Sequence, residues 1–103
     1  MDEQADYIAI AQKIALYRVI CEAVNNAIKH GQAKNIDVRL KLTDNSIELT
    51  VEDDGSGFSK DDKDFREGNG LRNMRSIAVL LKGFLSIVQR DKSGVRVRLS
   101  LPR

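Results

Sequence analysis

Apolar residues recur along the chain with two different periods, and the switches between them outline its elements. From Ile8 to His30, the residues Ile10, Ile14, Tyr17, Cys21, Val24 and Ile28 step by four and three, the spacing of one helix face. That stripe is expected to face the core, with Gly31 after His30 as the helix stop. The period then drops to two. Ile36, Val38, Leu40 and Leu42 alternate with Asp37, Arg39 and Lys41; past Thr43-Asp44-Asn45-Ser46, Ile47, Leu49 and Val51 alternate with Glu48, Thr50 and Glu52. Two alternating runs joined by turn residues predict an antiparallel hairpin with one face buried and one wet.

Residues 54–70 carry no apolar period and hold four of the seven glycines. Long connections of this kind are uncommon in small domains and are often functional lids. Helical spacing returns with Leu71, Met74, Ile77, Ala78 and Leu81, stopped by Gly83. Two more strands follow, Phe84–Gln89 and Val95–Leu101, turned by Asp91-Lys92-Ser93-Gly94. Strands in hairpin pairs and helices that share one face predict a two-layer α+β sandwich.

Composition narrows the class. At 103 residues the chain fits one domain, residues 1–103, with 42% apolar residues to build a core. No stretch is long and apolar enough to span a membrane, and MDEQADYIAI lacks the pattern of a secretory signal. A single cysteine, Cys21, forms no internal disulfide and suits a reducing, cytoplasmic compartment. On the apolar stripe it reads as inert packing. The net charge of +2 is too small to argue for nucleic acid. Arg39, Lys41, Arg96 and Arg98 fall on the outward strand parity together with Asp37, Glu48 and Glu52, where cross-strand pairing is the simplest use for them.

Three segments stand apart from routine core. In Glu22-Ala23-Val24-Asn25-Asn26-Ala27-Ile28-Lys29-His30, the positions Glu22, Asn26 and Lys29 stack along one helix stripe, opposite the Cys21/Val24/Ile28 face. In Asp53-Asp54-Gly55-Ser56-Gly57-Phe58, Asp53 continues the inward series Ile47, Leu49, Val51. A carboxylate on the core side needs a partner, because an isolated buried charge is costly. Third, Gly68-Asn69-Gly70-Leu71 feeds straight into a helix, where exposed N–H groups and the helix dipole favour an anion. Neither the dinucleotide fingerprint nor the P-loop pattern is present.

In this order and spacing, ALYRVICEAVNNAIKHG, DDGSGF and GNGLRNMRSIA resemble the N box and two glycine boxes of the catalytic, ATP-binding domain of bacterial sensor histidine kinases. The subfamily resemblance is to nitrate- and envelope-stress-type kinases, and it runs from about Ile14 to Pro102. It implies the Bergerat (GHKL) fold: a mixed sheet of four to five strands with helices on one face and an ATP lid over residues 55–70. It implies that Asp53 accepts a hydrogen bond from the adenine amine and that Gly55 and Gly57 keep side chains off the base. Asn26 would give its amide oxygen to Mg²⁺, Lys29 and His30 would meet phosphate charge, and Gly68, Gly70 and Leu71 would receive phosphates through backbone amides. Glu22 would be the catalytic base that orients the nucleophile. Lys60 and Arg66, in the lid, are left unassigned.

The implied activity is transfer of the γ-phosphoryl group of Mg·ATP to a histidine on separate dimerisation helices, and from there to a response regulator. The parent protein is compatible with a membrane anchor, and the isolated domain is expected to be monomeric, with no nucleic-acid partner. The alternative from a different class is a stand-alone anti-sigma-factor-like serine kinase that binds a sigma factor. One departure concerns the pocket: where the family usually has Thr in its closing G-T-x-V strand, Gly94-Val95-Arg96-Val97 has Val95, which predicts weaker adenine binding.

Overall fold

The helix expected first forms as α1, Ile10–Lys29, and the hairpin forms as β1, Ile36–Leu42, and β2, Ser46–Asp53. The second helix, α2, spans Asn69–Leu80, and the closing strands are β3, Phe84–Gln89, and β4, Val95–Pro102. The computed structural model describes residues 9–29, 32–55, 69–90 and 94–103, without the side chains of 69–71. Most of the expected lid, with Gly57 and Gly68, lies outside the described residues, as do His30 and Gly31.

The strands form one sheet in the order β1-β2-β4-β3. All three pairings are antiparallel, so among the described residues the sheet is not the mixed one that the resemblance implied. β1–β2 and β3–β4 are hairpins, while β2 and β3 run parallel to each other, joined by α2, with β4 inserted antiparallel between them. On the inner face Ile47, Leu49, Val51, Val97, Leu99 and Leu101 are buried, and Leu16, Val19, Ala23, Met74 and Ala78 of the two helices close over them. The helices therefore share one face of a two-layer α+β sandwich.

The alternation expected of the hairpin holds fully in β2, whose residues are buried and half-buried in turn. In β1 it does not bury the inner positions Val38 and Leu40, which stay exposed. β1 is an edge strand, and the helices cover the centre of the sheet rather than its rim. The outer face is wet and ion-paired as anticipated: Arg96 meets Glu52 directly across the ladder at 3.3 Å and Arg98 lies 3.8 Å from Glu48. Arg39 pairs along its own strand with Asp37 at 2.8 Å. Such exposed pairs are worth little each.

The face that α1 buries is not the one its most regular apolar spacing indicated. Ile10, Ile14, Tyr17 and Ile28 are exposed, Ile10 at 76% and Tyr17 at 69%, and Cys21 is half-buried, while Ala15, Leu16, Val19, Ala23 and Ala27 turn to the core. At 100° per residue the two stripes lie roughly 150° apart around the helix. The buried stripe combines three alanines with Leu16 and Val19, and packs against the Ile, Leu and Val side chains of the sheet. Glu22 and Asn26 consequently flank the core stripe and are half-buried.

α2 stops one residue earlier than Gly83 suggested. Gly83 N–H donates to Ala78 O at 2.7 Å and Lys82 N–H to Val79 O at 3.1 Å, the two bonds of a Schellman cap. The left-handed residue is Lys82, at φ 57°. Gly83 is required for space instead: a Cβ there would lie 2.5 Å from Leu101 Cδ2 and 2.6 Å from Ser100 O.

Candidate functional site

β2 ends on Asp53, the buried charged residue of the described chain, at 6% exposure. Its parity with Ile47, Leu49 and Val51 carries the carboxylate to the helix side of the sheet, as the sequence predicted. Oδ1 accepts the Gly55 N–H at 2.9 Å, which starts the turn out of the strand. Among the described residues no donor meets the other carboxylate oxygen, Oδ2, which has the lone pairs to accept one from a ligand. The Asp53 main chain is held from the other side by β4. A Cβ on Gly94, at φ +94°, would sit 1.9 Å from Asp53 O, so only glycine allows this approach. Continuing the β2–β4 register one step past Glu52↔Arg96 puts buried Val95 opposite Asp53.

The neighbouring Asp54 has the opposite character. It is exposed, and its carboxylate accepts from Lys34 N at 2.8 Å, Asn35 N at 2.9 Å and Asn35 Nδ2 at 2.8 Å. Asn35 O in turn accepts the Asp54 N–H at 3.2 Å. Hydrogen bonds from the Asn35 backbone first, then from its side chain and from Lys34, hold the Asp54 carboxyl down from 3.8 to about 2. A depressed carboxyl stabilises the fold above the ordinary carboxylate range and loses that contribution as pH falls toward its folded value. Thermal melting from pH 5 to pH 2 should therefore show Asp54→Asn below the parent protein at pH 5, with the gap closing toward pH 2.

Through this clamp the two candidate motifs meet. Ala33 N–H donates to Ala27 O at 3.0 Å, which folds the chain back off the end of α1. Lys34 and Asn35 are then held by Asp54, and Ile36 pairs with Asp53 in the β1–β2 ladder. The end of α1 that carries Asn26 and Lys29 thus lies at the Asp53 end of the sheet. Glu22 and Asn26 are half-buried and Lys29 is exposed. α2 ends at the opposite end of the sheet, where Gly83 packs on Ser100 and Leu101. From there it runs back over the sheet with Met74 and Ala78 in the core, and Asn69 and Gly70 form its first turn.

Residues 11–103 match the family described as histidine kinase-, DNA gyrase B-, and HSP90-like ATPase. The chain belongs to this family. The sensor protein VraS of Staphylococcus epidermidis is 32% identical over 87 residues, which are 84% of this chain and 25% of that protein. The chain thus spans a quarter of the length of such relatives. The ATP binding domain of PrrB from Mycobacterium tuberculosis superposes with a TM-score of 0.70 at 27% identity, over 86% of this chain and 67% of that one. The histidine kinase domain of the Erythrobacter litoralis EL346 blue-light activated kinase gives a TM-score of 0.70 at 26% identity, over 85% of this chain and 43% of that one. The domain is homologous to the ATP-binding domains of sensor histidine kinases, and in this chain Asp53 ends a central strand of the sheet.

Two features of the site were not anticipated. Asp54 reads in the sequence as a loop residue, and its clamp on Asn35 depends on a contact 19 positions away. Arg90, whose guanidinium reaches Asp53, has no sequence signal at all.

Proposed function

We propose that this domain binds Mg·ATP and transfers its γ-phosphoryl group to a histidine on separate dimerisation helices, as the enzymatic part of a two-component sensor kinase. The observation that carries the reading is Asp53, a buried carboxylate at a strand end with one oxygen held by Gly55 N–H and the other without a donor among the described residues. A carboxylate accepts from the 6-amino group of adenine and repels the 6-carbonyl of guanine, so ATP is selected over GTP. Gly55, and Gly57 beyond it, leave room for the base.

The N-box residues have the chemistry for the phosphate end. Mg²⁺ takes oxygen ligands and keeps several waters and phosphate oxygens, so one or two protein groups suffice. Asn26 supplies such an amide oxygen from a half-buried position, with Glu22 one turn away and no competing cluster of His, Cys, Asp or Glu among the described residues. The ion, when bound, neutralises charge on the β- and γ-phosphates. Lys29 adds a cation, His30 lies beside it in sequence, and the amides around Gly68, Gly70 and Leu71 receive phosphate oxygens at the head of α2. In the transfer the acceptor imidazole nitrogen forms a bond to Pγ, the bridging P–O bond to the β-phosphate breaks, and ADP departs. Glu22 accepts a hydrogen bond from the acceptor's other N–H and orients the ring, since phosphoryl transfer depends mainly on positioning and charge neutralisation.

The domain is read as a single unit over residues 1–103 with residues 55–70 as its lid, working in the cytoplasm where ATP is available and Cys21 stays reduced. Its protein partners are the dimerisation helices of the parent kinase and, through them, a response regulator. Incubation with radiolabelled ATP, Mg²⁺ and a cognate dimerisation segment should give acid-labile phosphohistidine on that segment. Acid-stable phosphoserine on another protein would reject the proposal. Val95 stands beside Asp53 without the hydroxyl common in the family, and Val95→Thr is expected to tighten ATP several-fold by calorimetry, about the worth of one added hydrogen bond.

A further inference from the structure

Arg90 follows the last residue of β3, two strands away from β2, yet its guanidinium crosses β4 and Nη1 donates to the main-chain carbonyl of Asp53 at 2.8 Å. That carbonyl is where a β4 side chain would have to be, since Gly94 leaves the space open. The long side chain is itself oriented twice. Its Nε lies 3.7 Å from Glu52 Oε2, and Glu52 is shared with Arg96 at 3.3 Å. The Arg90 N–H donates to Gly94 O at 2.9 Å, which closes the β3–β4 turn on the same spot. Three separate elements therefore converge on the peptide that bears the candidate adenine-reading carboxylate.

We infer that Arg90 is a specificity-determining positioning residue: by fixing the Asp53 carbonyl through a charge-assisted bond, it holds the Asp53 carboxylate in the orientation that distinguishes a 6-amino from a 6-oxo purine. This rests on the reading of Asp53 as the adenine contact and adds the group that enforces it. Arg90 touches no nucleotide; it acts through the backbone. Asp53 is the last residue of its strand, followed by a turn whose only described anchor on the carboxylate is Gly55 N–H. With its carbonyl released, the Asp53 peptide loses one of the restraints on its Cα–Cβ direction, and a carboxylate ordered only on binding contributes less selectivity than one already in place. A bond from a charged donor is stronger than a neutral one, which is the reason a guanidinium is suited to the task.

The readout is the ratio of ATP to inosine triphosphate affinity, because the two nucleotides differ only along one base edge: a 6-amino group beside an unprotonated N1 in ATP, a 6-oxo group beside N1–H in inosine triphosphate. A loss of general stability lowers both affinities together and leaves the ratio alone. The ratio is measured by calorimetry on the whole chain for the parent protein, Arg90→Ala, Arg90→Gln and Arg90→Lys. The parent is expected to prefer ATP about ten- to a hundredfold. Arg90→Ala should cut that preference at least threefold, and Arg90→Lys, which keeps a charged donor, should restore most of it. Arg90→Gln removes the charge and ends two bonds short of Nη1 while keeping a polar side chain, and it decides the matter if the alanine variant does not fold. A parent preference for ATP that survives unchanged in a folded Ala or Gln variant overturns the role of Arg90 and leaves Asp53 intact. A parent protein with equal affinity for both nucleotides overturns the adenine reading and this inference with it.

Discussion

Asp53→Asn is expected to weaken ATP binding about ten- to a hundredfold while the domain remains folded. The substitution keeps the shape of the side chain, and an amide oxygen still accepts the Gly55 N–H that Oδ1 now accepts at 2.9 Å. What it removes is the negative charge at a site only 6% exposed, where a charge-assisted hydrogen bond is worth about 1.5–3 kcal/mol. At roughly 1.4 kcal/mol per factor of ten, that is the loss stated. The amide also gains a donor, so inosine triphosphate should lose much less than ATP, and the order of preference should narrow or invert. Titration calorimetry with both nucleotides checks this. Unchanged ATP affinity in a folded Asp53→Asn protein would mean that the base is not read at this carboxylate.

Asp53 was legible because strand parity is a strict rule. Once Ile47, Leu49 and Val51 are set inward, the side chain two positions on must follow them. The same rule separated it from Asp54, which the structure turns outward to clamp Asn35. Helix orientation was less legible. In α1 the larger apolar side chains Ile10, Ile14 and Tyr17 suggested the buried face, but burial goes to Ala15, Leu16, Val19, Ala23 and Ala27 on the other side of the helix. Both stripes are apolar, and periodicity alone does not say which of two apolar stripes meets the sheet. β1 illustrates a related gap. Its alternation was right about faces, yet Val38 and Leu40 remain exposed because sequence does not say how far the helices reach across a sheet. The contacts that tie the site together were beyond sequence altogether. Arg90 and Asp53 are 37 positions apart, and only the β1-β2-β4-β3 order brings the end of β3 within reach of the end of β2.

Gly94 is where fold and site depend on a single missing side chain, and Gly94→Ala should be among the most damaging small substitutions in the chain. The added Cβ would lie 1.9 Å from Asp53 O, 2.8 Å from Asp53 C and 3.1 Å from Asp54 Cα. All three are backbone atoms, and none can rotate aside. The residue is also at φ +94°, where an L side chain is strained by about 1–2 kcal/mol, and forced overpacking adds typically ~1–3 kcal/mol. Together the cost is on the order of 2–5 kcal/mol, which for a domain of this size lowers the melting temperature by roughly 10–30 °C. Gly83→Ala provides the comparison. One of its two close neighbours is the Leu101 Cδ2 atom, a side-chain end that can move, and its backbone needs no left-handed φ, so its melting temperature should fall less. The two variants should also part in function. Relief of the clash at Gly94 can only come from moving β4 or the Asp53–Asp54 peptide, so any folded Gly94→Ala protein should bind ATP more weakly with a reduced preference over inosine triphosphate. Gly83 contacts the far end of the sheet, and its variant should keep that preference. Thermal melts and the two nucleotide titrations on the same samples separate the effects; a Gly94→Ala protein as stable and as selective as the parent would mean that β4 does not fix the position of Asp53.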